Sequence, residues 1–101
     1  MTKFDNPYWT DVMRINYQQR KIAVLSIIYY EMNNSVVSDK EFDKECRQLV
    51  ELQKNRVAFE KSMYKEVFEG FDGTTGFDLY EKLSNADKVY LRKIADRVLM
   101  C

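Results

Sequence analysis

Residues 28–43 read Ile-Tyr-Tyr-Glu-Met-Asn-Asn-Ser-Val-Val-Ser-Asp-Lys-Glu-Phe-Asp, and this stretch contains the signals that end one helix and begin another. Residues 33–35, Asn-Asn-Ser, are typical of a turn because short polar side chains bond to nearby backbone groups. Ser38 and Glu41 have the spacing of a capping box, in which each side chain accepts the backbone N–H of the other residue. The stretch therefore predicts an antiparallel pair of helices, the second of which begins at Asp39.

The segment before this turn has the apolar periodicity of one long helix. Asn6 and Pro7 are typical of a helix start, because Asn caps exposed N–H groups and Pro lacks an N–H that has no partner there. No Gly or Pro follows before Asn33, so we expect a helix over residues 7–33, bent or frayed around polar residues 16–21. The recurring apolar residues are Tyr8, Trp9, Val12, Met13, Ile15, Ile22, Leu25, Ile28, Tyr29 and Met32.

The segment after the turn predicts further helices and no strand. An apolar stripe begins at Phe42 and continues to Gly70 as one helix or two. Residues 70–76 contain all three glycines and form the predicted loop, which is followed by a helical turn over residues 77–83. A second capping sequence at Ser84 opens a final helix. The residues expected to face inward are Phe42, Cys46, Leu49, Leu52, Val57 or Phe59, Met63 and Val67, and in the final helix Leu91, Ile94, Ala95, Val98 and Leu99.

These elements predict an all-α fold. A chain of 101 residues has the usual size of one domain. We therefore expect a single helical domain over residues 1–101, a small bundle of three to four helices built on a long antiparallel helical hairpin.

Composition favours binding over catalysis and argues against nucleic-acid and membrane partners. The 16 Lys and Arg residues balance the 16 Asp and Glu residues, so no net charge attracts the chain to phosphates or anionic lipids. Histidine, the usual general base and the commonest metal ligand, is absent. Cys46 and Cys101 lack the paired spacing of a zinc site and are expected as reduced thiols. The uncharged run over residues 22–30 is far shorter than the roughly 20 residues of a membrane-spanning helix, so we expect a cytoplasmic protein.

The hairpin, over about residues 20–55, resembles the Ia region at the N-terminus of bacterial NAD+-dependent DNA ligases. That family pattern has a tyrosine pair or Tyr-His, a short turn, Ser or Pro followed by Asp-x-Glu-Tyr-Asp, and then a helix rich in Leu and Glu. Tyr29, Tyr30, Ser38, Asp39 and Asp43 stand at the corresponding positions of this chain without a gap.

The resemblance implies a role in nicotinamide recognition. In the ligases this hairpin closes over the nicotinamide mononucleotide half of NAD+. The match implies that Tyr29 and Tyr30 face the nicotinamide and that Asp39 and Asp43 contact the nucleotide. Phe42 replaces the family's tyrosine, which keeps a stacking ring and removes its hydroxyl. The chemistry agrees, because the nicotinamide ring of NAD+ is a cation that favours carboxylates and aromatic faces.

The resemblance does not extend to ligase catalysis, so we expect no enzyme activity, no catalytic residue and no required cofactor. Ligation needs a domain with a nucleophilic lysine in the sequence Lys-x-Asp-Gly, and the similar Gly-Phe-Asp-Gly at residues 70–73 has glycine in place of that lysine. The added helices over about residues 77–100 are expected to cover an apolar face that the ligase buries against its catalytic domain. Small proteins with such a borrowed element are typical of phages and prophages, which implies a host-cytoplasm location.

Three functions stay open from the sequence. The first is binding of nicotinamide mononucleotide or NAD+ through Tyr29, Tyr30, Asp39, Phe42 and Asp43. In the second, the hairpin is only a scaffold in a phage-encoded interaction factor or inhibitor of a host nuclease, defence or replication protein. Such a factor would contact its protein partner through exposed aromatic residues such as Tyr8 and Trp9. The third is supply of the Ia function in trans to a separate ligase core.

Overall fold

A computed structural model describes residues 9–73 and 78–100 of the chain, and these residues form helices and no strand. The long helices are α1 (Asp11–Ser26), α2 (Asp39–Gln53) and α6 (Asn85–Met100), and the short ones are α3 (Arg56–Glu60), α4 (Lys65–Phe68) and α5 (Leu79–Lys82). A π-helical turn, Ile27–Glu31, continues directly from α1. The predicted all-α bundle is confirmed. Within the two described ranges, each helix is too short or too polar to cross a membrane.

The first helix begins later than the sequence predicted. Trp9 and Thr10 are not helical, and the Thr10 hydroxyl accepts the Met13 N–H at 3.2 Å as the N-cap. The prediction of helix at residues 9 and 10 is therefore wrong, because Thr10 supplies the capping oxygen and Asp11 places a negative charge in the first turn, whereas the predicted start at Pro7 lies outside the described residues. The predicted cap at Asn6 lies outside the described residues.

The polar part of α1 is regular helix rather than bent or frayed. Gln18 and Gln19 lie within it and are completely buried. The Gln18 amide donates to the Glu45 carbonyl at 3.0 Å and to its carboxylate at 2.6 Å, which ties α1 to α2. The Gln18 amide nitrogen and both polar atoms of the Gln19 side chain find partners on neighbouring elements, whereas Gln18 Oε1 has none among the described residues.

The end of α1 widens into the π-turn. The Met32 N–H donates to the Ile27 carbonyl at 3.0 Å, five residues back rather than four. Asn33 follows with φ of 52°, a left-handed conformation that asparagine tolerates better than most residues. The helical path therefore ends within two residues of the predicted position.

The second helix begins as predicted and ends earlier. The Ser38 hydroxyl accepts the Glu41 N–H at 3.1 Å, which confirms the cap. The stripe that follows is divided, because the Asn55 side chain accepts the Ala58 N–H at 3.2 Å and starts α3. Of the two readings of this segment, separate helices are the observed one.

The last helix packs on α1 and closes the bundle. The Ser84 hydroxyl accepts the Asp87 N–H at 3.1 Å, as the second capping sequence predicted. The short helix α5 agrees with the predicted turn over residues 77–83, although Phe77 and residues 74–76 of the glycine loop lie outside the described residues. Gly73 has φ of 85°, and a Cβ there would lie 3.1 Å from Val50 Cγ2, so this position requires glycine.

The core contains most of the predicted inward residues and excludes two. Met63 is 65% exposed and Val98 is 38% exposed, so both predictions are wrong. Met63 follows the end of α3, where helical periodicity no longer applies, and Val98 lies beside an open groove. The largest completely buried apolar side chains are Ile15, Ile22, Ile27, Ile28, Leu49, Phe59, Phe68, Leu79 and Leu91.

Candidate functional site

The five residues predicted to bind the nucleotide line one cavity, of about 170 Å³. We call it the tyrosine cavity. It lies where the π-turn, the connection to α2 and the first turns of α2 meet. Its lining residues are Leu25, Tyr29, Tyr30, Ser35, Val36, Val37, Asp39, Phe42 and Asp43.

The π-turn supplies two consecutive tyrosines to this cavity. The Tyr29 and Tyr30 ring centroids are 4.8 Å apart and their planes are 79° apart, an edge-to-face pair. The two side chains are 50% and 38% exposed, so the rings remain accessible to a ligand. Single π-turns inside helices are frequent at functional sites because they change which side chains share a face.

The start of α2 supplies the acidic side of the cavity. Asp39 is the first residue of α2 and Asp43 lies one turn further, so both carboxylates share a helix face. Phe42 lies between them in the sequence and is half-buried. The Ser38 cap sets where the helix begins and therefore where this face points.

The charge of the lining has one sign. Asp39 and Asp43 are its charged residues, and none of the lining residues is Lys or Arg. Three aromatic rings add to the negative potential of the lining, since the face of an aromatic ring carries partial negative charge. The cavity is therefore suited to a small organic cation and not to a free anion.

The connection between the helices is held by its own hydrogen bonds. The Ser35 N–H donates to the Asn34 side chain at 2.8 Å, and the Ser35 hydroxyl donates to the Val37 carbonyl at 2.6 Å. These bonds hold the backbone of residues 35–37, which forms one wall of the cavity. The sequence did not single out Val36 and Val37 as lining residues, although both lie within the quoted stretch.

A wider surface depression adjoins the cavity and shares Tyr29, Tyr30 and Ser35 with it. Its volume is about 620 Å³, and Asn33 and Asn34 complete its lining. Pockets that enclose drug-sized ligands measure roughly 300–1,000 Å³. The tyrosine cavity alone therefore holds one ring or headgroup, and the rest of a larger ligand would extend over the neutral depression.

The predicted protein-binding residues lie elsewhere. Trp9 is half-buried and packs edge-to-face on Tyr17, with ring centroids 5.6 Å apart. It does not line the tyrosine cavity. Tyr8 lies outside the described residues. The structure thus separates Trp9 from the five nucleotide-site residues that it brings together.

The described thiol is chemically quiet. Cys46 is buried on the inner face of α2, as predicted, and burial together with the nearby carboxylates of Asp43 and Glu45 raises its pKa to about 12. A neutral thiol is a poor nucleophile and metal ligand. Across residues 9–73 and 78–100, no cluster of three or more His, Cys, Asp or Glu side chains has the arrangement of a metal site.

Comparison of the chain with protein-family models, with curated proteins and with solved structures finds no match. The tyrosine cavity is therefore the feature of the molecule that bears on its function.

Proposed function

We propose that the protein is a non-catalytic binding protein whose tyrosine cavity takes the cationic nicotinamide ring of nicotinamide mononucleotide or NAD+. The observation that carries the proposal is the convergence of Tyr29, Tyr30, Asp39, Phe42 and Asp43 on one cavity without a lining cation. These are the five positions that the ligase-like pattern of the hairpin implies for nicotinamide recognition.

The lining chemistry supports a cationic ring over a neutral one. The oxidised nicotinamide ring carries a positive charge, which the Asp39 and Asp43 carboxylates attract and which an aromatic face stabilises. The reduced ring is neutral and gains neither interaction. Ligand selection by charge rather than by shape is therefore the expected property of this cavity.

The dimensions support partial enclosure of the nucleotide. A cavity of about 170 Å³ accepts the ring, and the adjoining depression beside Asn33 and Asn34 offers neutral hydrogen-bonding groups to the ribose. The phosphate then remains in solvent, away from the two carboxylates. Each exposed cation–π contact contributes about 0.5–1 kcal/mol and each carboxylate about 1 kcal/mol, so three rings and two carboxylates together give an expected dissociation constant of roughly 1 mM.

The test is a two-dimensional NMR titration of the ¹⁵N-labelled protein with oxidised and reduced nicotinamide mononucleotide. The two ligands share the ribose and the phosphate and differ in the charge of the ring. We expect saturable shifts around Tyr29 and Asp39 with the oxidised form, and binding at least about fivefold weaker with the reduced form. Equal binding of the two forms, or no shift at millimolar ligand, would contradict the proposal.

Paired variants assign the effect to the carboxylates of the cavity. Asp39→Asn with Asp43→Asn should reduce affinity for oxidised mononucleotide by about tenfold, because both attractions are lost. Glu66→Gln with Asp96→Asn is the matched control, since both residues are exposed, lie outside the cavity and change the net charge equally. Equal losses in the two pairs would indicate a general charge effect. An unchanged affinity in the first pair would favour the hairpin as scaffold for a protein partner.

A further inference from the structure

A second concave surface lies between α1 and α6 and shares Leu25 with the tyrosine cavity. We call it the α1/α6 groove. Its volume is about 450 Å³, and its lining residues are Tyr17, Arg20, Lys21, Val24, Leu25, Ile94 and Val98. Four of these side chains are aliphatic and one is aromatic, so the floor is apolar. Tyr17 also packs against Trp9, the one tryptophan of the chain.

The charges at this groove are positive. Arg20 and Lys21 line it and no Asp or Glu does. Lys21 pairs with Glu45 at 3.1 Å, whereas no carboxylate in the described part of the chain forms an ion pair with Arg20. The guanidinium of Arg20 can therefore form an ion pair with a carboxylate of a ligand.

Two further cations lie on α6. Lys93 and Arg97 are four residues apart and share a helix face, and each precedes a lining residue in the sequence, Ile94 and Val98. Both cations are exposed, and neither forms an ion pair with a described residue. The groove is thus an apolar trough whose charged lining residues, Arg20 and Lys21, are positive, and the neighbouring face of α6 is basic.

We infer that the α1/α6 groove binds an amphipathic helix of a partner protein, whose apolar stripe is flanked by Asp or Glu. Two packed helices with an open seam are a common receptor for a third helix, which inserts apolar side chains at a spacing of three and four residues. The positive charge of Arg20 and of the neighbouring face of α6 selects acidic flanks on the guest helix. A bilayer is the poorer fit, because a flat surface cannot fill a trough.

The probe is a pair of synthetic peptides of about 18 residues, or five helical turns. Both carry the same leucine stripe and no tryptophan; one has Glu and the other has Lys flanking the stripe. Trp9 reports on Tyr17 through its fluorescence, and calorimetry measures the affinity. We expect saturable binding of the Glu peptide to the full-length protein, at least about tenfold tighter than that of the Lys peptide at low salt.

Two variants on α6 locate the contact. Val98→Glu places a carboxylate in the groove and should weaken binding of the Glu peptide by at least about tenfold. Val89→Glu is the matched control, because Val89 is on the same helix, is 57% exposed and does not line the groove. The affinity of Val89→Glu for the Glu peptide should stay within about twofold of that of the parent protein. Circular dichroism should show that both variants keep their helices.

Four outcomes would overturn the inference. These are absence of Glu-peptide binding at millimolar concentration, equal binding of the two peptides, and equal effects of the two valine variants. The fourth is a different occupant: sedimentation of the free protein as a dimer that Val98→Glu alone dissociates identifies a second copy, and binding to anionic vesicles that the same change abolishes identifies lipid. The nicotinamide titration uses the protein without peptide, so its outcome is distinguishable from that of the peptide experiment.

Discussion

The side-chain amide of Gln19 donates to the Oε1 of Gln53 at 3.0 Å in the interior of the bundle, and both residues are buried. The same amide lies 3.2 Å from the Ser62 hydroxyl, and Gln19 Oε1 accepts the Tyr64 N–H at 3.2 Å. One glutamine of α1 thereby connects α2 to the segment that joins α3 and α4. This network fixes the positions of three elements inside the bundle.

Replacement of Gln19 should destabilise the fold strongly. Gln19→Leu keeps the volume but leaves the Tyr64 N–H and the Gln53 carbonyl without a partner, which costs about 2–4 kcal/mol of unfolding free energy. Urea denaturation followed by circular dichroism measures the loss. Gln48→Leu is the control, because Gln48 is partly exposed and makes no hydrogen bond of this kind; its effect should stay within about 0.5 kcal/mol. Similar losses in the two variants would show that the network contributes little.

The left-handed Asn33 predicts opposite effects for two small substitutions. Asn33→Ala should lower the unfolding free energy by about 1 kcal/mol, because a Cβ without a compensating polar side chain is disfavoured at φ of 52°. Asn33→Gly should be nearly neutral, since glycine adopts this conformation freely but gains entropy in the unfolded chain. Thermal or urea unfolding distinguishes the two. Equal stability of the alanine and glycine variants would contradict the assigned backbone conformation.

Cys46 predicts a loss of stability at high pH. Its pKa of about 12 in the folded protein exceeds the ordinary 9.0, so between these values the unfolded chain has released a proton that the folded chain keeps. The contribution of Cys46 is therefore constant below pH 9 and falls by up to about 1.4 kcal/mol per pH unit above it. The unfolding free energy should fall less between pH 8 and pH 10.5 in Cys46→Ala than in the parent protein. A Cys46→Ala slope equal to that of the parent would refute the assignment.

Phe42 predicts a gain of nucleotide affinity. Phe42→Tyr adds a hydroxyl at the wall of the tyrosine cavity, where the ligase pattern has tyrosine, and one new hydrogen bond contributes about 1 kcal/mol. The dissociation constant for oxidised nicotinamide mononucleotide should fall about fivefold by NMR titration. Phe71→Tyr is the matched control, because Phe71 is half-buried against Phe68 and outside the cavity. A tighter complex in both variants, or in neither, would show that Phe42 does not take the place of the ligase tyrosine in nucleotide binding.

Local signals predicted the parts of the fold that local chemistry controls. The caps at Ser38 and Ser84 are visible in the sequence because the hydroxyl and its N–H partner are three residues apart. The Asn55 cap uses the same chemistry but follows no glycine or proline, so the sequence left open whether the stripe is one helix or two. The N-cap at Thr10 was not predicted, because Asn6 and Pro7 give a stronger sequence signal for a helix start.

Contacts between distant segments were not predictable in this way. The polar stretch with Gln18 and Gln19 predicted a bent or frayed helix, because their partners, among them Glu45 and Gln53, lie on another helix. The tyrosine cavity could be anticipated since its residues flank a single turn. The α1/α6 groove could not, because Arg20 and Val98 lie far apart in the chain and periodicity alone gives no partner for a helix face.

Leu25 is a wall of both the tyrosine cavity and the α1/α6 groove. A guest in either site that displaces this side chain alters the volume available in the other. Thermodynamic linkage makes such an effect reciprocal: if a bound helix changes the affinity for the nucleotide by some factor, the nucleotide changes the affinity for the helix by the same factor. One leucine thus gives the two proposed sites a physical means of coupling.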